Sequence, residues 1–255
     1  MSGHYVGGIH VVRALLEQVP ETVSELHVQR GRQDTRVSPL VNRASNRGIP
    51  VFQQDRRTLD RLQPGVRHQS VIAKTTQASE HTEADLEALV ESAPTPPLIL
   101  VLDGVQDPHN LGACLRSADA AGALAVVVPK DRACGLTPVA RKAASGAAES
   151  LPFIAVTNLA QSLERLQRIR VWVIGMAGES GGCVYECRMT GPVALVLGAE
   201  GAGLRRLTRE RCDELAHIPM AGNVESLNVS VAAGICLFEA RRQRLSGKLA
   251  TNEHG

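Results

Sequence analysis

Apolar residues fall into two textures along this chain, which change near residue 98. Before it, short apolar stretches alternate with polar ones at mixed spacing. The pattern predicts a helix over 9–17, a strand over 25–29, a polar helix over 37–47, strands over 50–53 and 70–74, and a helical stretch over 57–62 between them. Residues 75–97 are poor in large apolar side chains and end Pro-Thr-Pro-Pro, as a linker does, with room for one short helix near 85–91. From residue 98 onward, apolar runs at 98–102, 123–128, 152–156, 171–174, 193–197 and 215–218 read as strands. They alternate with helical patterns at 111–121, 138–145, 159–168, 204–211 and 226–242. Strand–helix alternation of this kind predicts a largely parallel sheet covered on both faces. In the last helix Leu227, Val231, Ile235 and Phe238 recur at spacings of four, four and three, which predicts one buried stripe. The expected organisation is α/β throughout: a small α/β unit over 1–74, a linker over 75–97, a larger α/β unit over 98–245 and a tail over 246–255.

Composition adds limits. No apolar run approaches the roughly 20 residues that cross a membrane. The opening Met-Ser-Gly-His-Tyr lacks the basic-then-apolar pattern of a secretory leader, so a cytoplasmic protein with no membrane partner is expected. The six cysteines are scattered; only Cys183 and Cys187 are close, as C-x3-C with no second pair, so reduced structural thiols are expected and no metal site. Net charge is only +2, but residues 1–80 hold 11 Lys and Arg against 7 Asp and Glu, whereas the remainder holds 17 against 19. A basic first unit is what a phosphate backbone requires, and it is equally what a solvated surface looks like.

Three segments set polar or glycine-rich sequence directly after a strand, where ligands of α/β sheets bind. In the first, Asn110 occupies an expected helix N-cap and Arg116 follows six residues later in an Ala-rich helix; a buried guanidinium there would need a partner or a function. The second reads Gly-Ala-Glu-Gly-Ala-Gly from Gly198 to Gly203. Its glycine order is not that of a nicotinamide dinucleotide loop, it lacks the Gly-Lys-Ser/Thr of a P-loop, and Glu200 suits a cationic centre better than a pyrophosphate. In the third, Ser226 is the expected cap of the last helix, with Asn228 and Ser230 in its first turns.

Taken together and in this order, the three segments resemble the signature motifs of the SpoU (TrmH-like) branch of the SPOUT RNA methyltransferases. Asn110 and Arg116 match the first motif, Gly198 to Gly203 with Glu200 the second, and Ser226, Asn228 and Ser230 the third. The likeness covers nearly the whole chain except the linker and the last ten or so residues. The basic first unit is similar to the RNA-binding domain, related to ribosomal protein L30e, that precedes the catalytic domain in one subgroup. The resemblance implies a C-terminal trefoil knot, a homodimer with each site completed across the interface, and S-adenosylmethionine held largely by backbone at Gly198, Ile218 and Leu227. It also implies methyl transfer to a ribose 2′-hydroxyl of a guanosine in 23S rRNA, in the peptidyl-tRNA-binding loop, with RNA and not DNA as partner.

In that scheme Arg116, Asn110, Glu200, Ser226 and Asn228 are the catalytic residues. Two versions of Arg116 stay open: a perturbed base that takes the hydroxyl proton, or a clamp on the neighbouring phosphate that stabilises developing oxyanion charge. The second costs less, since guanidinium rarely loses its proton. A tRNA guanosine methyltransferase and a catalytically silent RNA-binding assembly factor are the alternatives. The full first unit and the intact motif residues weigh against each in turn. With aromatic residues at 2%, reading RNA by ring stacking is expected to be handicapped, leaving Arg30, Arg32, Arg36, Arg43 and Arg47 as expected RNA contacts.

Overall fold

The computed structural model describes residues 3–31, 35–63, 68–76 and 81–252. The chain divides into two compact units: residues 1–80 with 145–150, and residues 81–144 with 151–255.

In the first unit β1 (Gly3–Gly7), α1 (Ile9–Gln18), β2 (Val23–Gln29), α2 (Ser38–Asn46), β3 (Val51–Gln54), α3 (Arg56–Leu62) and β4 (Val71–Thr76) build a mixed four-stranded sheet of order β1-β4-β2-β3. Strand β1 pairs antiparallel with β4, and β3 parallel with β2. One sheet face carries Val6, Leu26, Val28, Val71 and Ala73 and is closed by Val12, Leu15 and Leu16 of α1 and Leu40 and Ala44 of α2. Strand β1 was not anticipated: five residues bounded by glycines give too short a run to register, and only its distant partner makes it a strand.

The second unit opens with α4 (Glu83–Glu91), inside the expected linker. Thr82 and Asp85 form a reciprocal cap at its start, and its Leu86 and Val90 belong to the core of this unit. The expected linker is therefore partly structure: β4 runs to Thr76 before it and α4 sits within it, while residues 77–80 lie outside the described residues. There follow β5 (Leu98–Asp103), α5 (Pro108–Ala121), β6 (Ala125–Pro129), α6 (Pro138–Ala144), α7 (Ala147–Ser150, grouped with the first unit), β7 (Phe153–Val156), α8 (Leu159–Arg168), β8 (Trp172–Met176), β9 (Gly182–Cys183), β10 (Val193–Gly198), α9 (Arg206–Glu210), β11 (Glu214–His217) and α10 (Val229–Asn252).

The seven strands form a parallel sheet of order β7-β6-β5-β10-β8-β11-β9. Every residue of β5 is buried and β10 is buried up to Gly198, as expected of central strands covered on both faces. Strand β10 inserts between β5 and β8, both laid down earlier in the chain, and α10 then returns to pack on α5. This is the knot-like C-terminal arrangement that the resemblance implied, an exception to the rule that chains avoid threading.

Helix α10 differs from expectation at both ends and in its facing. It starts at Val229 and extends ten residues past 242. Its buried apolar positions among the described residues are Val229, Ala233, Cys236, Leu237 and Ala240, whereas Val231 is 50% exposed, Phe238 49% and Leu245 49%. Periodicity reveals that a stripe exists but not which neighbour covers it. Near the end of α10, Arg244 donates to the carbonyls of Met189, Pro96, Pro97 and Gly191 at 2.6–3.1 Å. One guanidinium thus ties the entrances of β5 and β10 to the final helix, and burial lowers its pKa from the ordinary value.

All six cysteines are free. Burial pushes the thiols of Cys114, Cys187, Cys212 and Cys236 up to about 12, so these four stay protonated at neutral pH. Cys187 donates to the Glu214 carboxylate at 3.2 Å, a structural use of the C-x3-C pair.

Candidate functional site

Because the sheet of the second unit is parallel, its strands deliver their following loops to one edge. The loop after β5 leads into α5, whose N-cap is Asp107 and not Asn110: the Asp107 carboxylate accepts from the His109 amide at 2.7 Å and Pro108 takes the first helical position. The signal, Asp-Pro ahead of the helix, was present in the sequence. Its consequence is that Asn110 lies inside the first turn with its side chain free of capping duty.

The loop after β10 is a tight turn. Gly203 donates to the Ala199 carbonyl at 2.9 Å and has a left-handed φ of 64°. A Cβ on Gly198 would stand 2.0 Å from the carbonyl carbon of Gly203, so only glycine fits where the loop folds back on its own strand. The turn is anchored by Asp103, the last residue of β5 and the register partner of Gly198. Its carboxylate, on a residue 1% exposed, accepts from the Arg205 backbone at 3.0 Å and from Arg205 Nε at 2.5 Å. Neither residue was singled out from the sequence, although an Asp closing an otherwise apolar strand was the available sign.

The cap of α10 is Asn228 and not Ser226. The Asn228 carbonyl accepts from Ala232 at 3.0 Å, and its side-chain Oδ1 accepts from the Ser230 amide at 2.9 Å and hydroxyl at 2.6 Å. Its Nδ2 donates in turn to Asn110 Oδ1 at 2.9 Å and to Glu200 Oε1 at 2.6 Å. Glu200 Oε1 also accepts from Asn110 Nδ2 at 3.1 Å and from the Val229 amide at 3.4 Å. One carboxylate oxygen thereby gathers three loops separated by 90 and 28 residues of chain. Ser226 is exposed two residues ahead of the cap, and among the described residues no hydrogen bond joins it to this cluster.

Arg116 stands apart. It is exposed on α5, not buried as expected, and has no ion-pair partner among the described residues. Six helical residues place it about 9 Å along the axis from Asn110 and about 120° short of two full turns. Within one chain, Arg116 and the Asn110–Glu200–Asn228 cluster are not brought together by their helix.

The three expected cofactor positions lie at or just beyond the ends of neighbouring elements of the second unit. Gly198 ends β10 and Ile218 follows β11, the two strands that flank β8, while Leu227 precedes the cap residue tied to Glu200. Gly198, Ile218 and Leu227 are all partly buried. Beside them His217 Nδ1 is shielded from solvent and has no hydrogen-bond partner among the described residues. Half-buried apolar side chains, a strand end without a Cβ and an orphaned polar atom fit a nucleoside-bearing cofactor.

Comparison with known proteins gives this arrangement its class. Residues 97–238 match the SpoU rRNA Methylase family, and residues 5–81 match the model for RNA 2′-O ribose methyltransferase substrate binding. The chain belongs to the SpoU rRNA methylase family and is an S-adenosylmethionine-dependent RNA 2′-O-ribose methyltransferase. Among particular relatives, it is 52% identical over 248 residues to the 23S rRNA (guanosine-2′-O-)-methyltransferase RlmB of Vibrio parahaemolyticus, covering 97% of this chain and 100% of that one. It is 54% identical over 237 residues to RlmB of Escherichia coli K12, covering 93% and 97%. Among solved structures, the SpoU methyltransferase AviRb from Streptomyces viridochromogenes, in complex with the cofactor AdoMet, superposes with a TM-score of 0.74 at 25% identity over 96% of this chain and 91% of that one.

Proposed function

We propose that this enzyme methylates the ribose 2′-hydroxyl of a guanosine in 23S rRNA, in the peptidyl-tRNA-binding loop, acting in the cytoplasm as a homodimer. The guanosine and the 23S molecule rest on the named activity of RlmB relatives that match both units at over half identity. The single observation that carries the chemistry is the convergence of Asn110, Glu200 and Asn228 at one carboxylate oxygen.

Gly198, Ile218 and Leu227 would hold the cofactor, which supplies an electrophilic methyl group on a sulfonium. The residues of the chain do the rest. The Asn110–Glu200–Asn228 bonds fix the loops before substrate arrives, so little conformational entropy is lost on binding. Arg116, still charged, clamps the phosphate beside the reactive ribose and stabilises oxyanion charge as the 2′-oxygen loses its proton. DNA lacks that oxygen and is no substrate. Ser226 lies on the exposed approach to α10, open to the sugar.

Two features support the dimer. The exposed stripe of Val231, Phe238 and Leu245, with half-buried Ile235, recurs at the spacing of a helix–helix seam. Arg116 is exposed and, among the described residues, without a counter-charge, as it would be if a second copy supplied the loops it serves. The test is ribose-methylation mapping of 23S rRNA exposed to wild type and to Arg116→Ala. Wild type is expected to modify one guanosine, and the variant to lose about 10²–10³-fold in rate. Equal modification by both would remove Arg116 from the reaction.

A further inference from the structure

The face of the first unit's sheet opposite its core carries the second row of alternating side chains: Tyr5, His27, Phe52, Glu25, Ile72 and Lys74. Helix α3 covers one end of this face, where a Cβ on Gly7 would meet Gln63 and His68. The other end is open. There Tyr5 stands edge-on to His27 with ring centroids 5.8 Å apart, and His27 lies nearly parallel to Phe52 at 5.3 Å with 21° between the planes. Phe52 is 42% exposed, Tyr5 is half-buried, and His27 is packed between them. Its Nε2 is held 3.1 Å from Glu25, which also binds Lys74 at 2.5 Å. These contacts fix the middle ring, so the outer rings present a rigid surface.

A chain with only three Phe, two Tyr and one Trp has thus spent two of the six on one open face, and aligned them through a histidine. Phe52 stacks on His27 with part of its surface left open to solvent. It is the geometry that receives a third flat ring. The neighbouring surface suits an anionic strand: Arg56, Arg57 and Arg61 of α3 are all exposed, and α3 begins two residues after β3, the strand that carries Phe52.

We infer that the open sheet face of the first unit is a base-stacking platform, on which Phe52, backed by His27 and Tyr5, receives an unpaired RNA base while the α3 arginines hold the adjoining phosphates. The inference rests on RNA being the substrate and adds which face binds it and by what chemistry. It reverses the expectation that ring stacking plays little part here. Stacking tolerates any base, so the platform captures an unpaired strand and leaves the choice of nucleotide to the methylase unit.

The experiment uses the full-length protein without cofactor and a short single-stranded RNA oligonucleotide bearing one 2-aminopurine, titrated at several salt concentrations. Stacking predicts quenched fluorescence on binding to wild type. Phe52→Ala should weaken binding about tenfold and relieve the quenching, with the salt slope unchanged because phosphate contacts remain. Phe52→Trp should retain both signals. Binding by wild type without quenching, or Phe52→Ala affinity within about twofold of wild type, overturns the platform. Because no methyl transfer is read, failure here is distinct from failure of the proposed reaction.

Discussion

Helix α5 carries two residues with opposite fates, and the contrast between them explains how this enzyme is built. Asn110, in the first turn, is locked to Glu200 and Asn228 before any ligand is present. Arg116, in the third, is exposed and unpaired among the described residues. The first belongs to a cluster that one chain assembles from three loops; under the proposed function, the second serves loops supplied by a second copy. Under the proposed function, hydrogen-bonded rigidity serves the part that binds, since its geometry must not relax when the cofactor enters. In the same proposal an exposed guanidinium serves the part that reacts, because a permanent carboxylate partner would compete with phosphate for it.

Two variants separate these halves. The larger effect is expected from Phe238→Asp, which sets a charge in the exposed stripe of α10. Sedimentation should show a monomer, and methyl transfer should fall by about 10²-fold or more, while cofactor affinity changes by no more than a few-fold because the three-loop cluster stays intact. A fully active Phe238→Asp monomer would show that one chain suffices. A smaller effect is expected from Asn228→Ala. Glu200 keeps Asn110 but loses its shortest bond, and calorimetry should find cofactor binding weaker by about tenfold, with the dimer unchanged. Unaltered affinity would mean that the cluster does not shape the pocket.

Much of the second unit was legible because its strands are continuous apolar runs, and a run such as residues 98–102 has few other uses. The order of those strands was not, since the insertion of β10 between β5 and β8 leaves no local trace. Cap positions failed where several capping side chains crowd together: Asp107 precedes Asn110, and Asn228 follows Ser226. Asn110 thereby stays in the cluster with Glu200 and Asn228, whereas Ser226 has no hydrogen bond to it among the described residues. Asp103 and Arg244 were missed because each acts across more than 50 residues of chain, Asp103 on Arg205 and Arg244 on Pro96, Pro97, Met189 and Gly191. Of the arginines expected to contact RNA, Arg43 is engaged by Glu17, Arg32 lies outside the described residues, and Arg30 and Arg47 are exposed. The aromatic platform was obscured by composition itself, for a low total says nothing about where six rings are placed.

Mixed dimers test the division of labour most directly. Chains carrying Arg116→Ala and chains carrying Asn228→Ala, each deficient alone, would be co-expressed and the heterodimer isolated by distinct tags. If Arg116 serves the loops of its partner, the heterodimer has one site with every residue intact and recovers about half of the wild-type rate. If Arg116 serves its own chain, both sites of the heterodimer are damaged and the rate stays at the level of the parents, which would contradict the account.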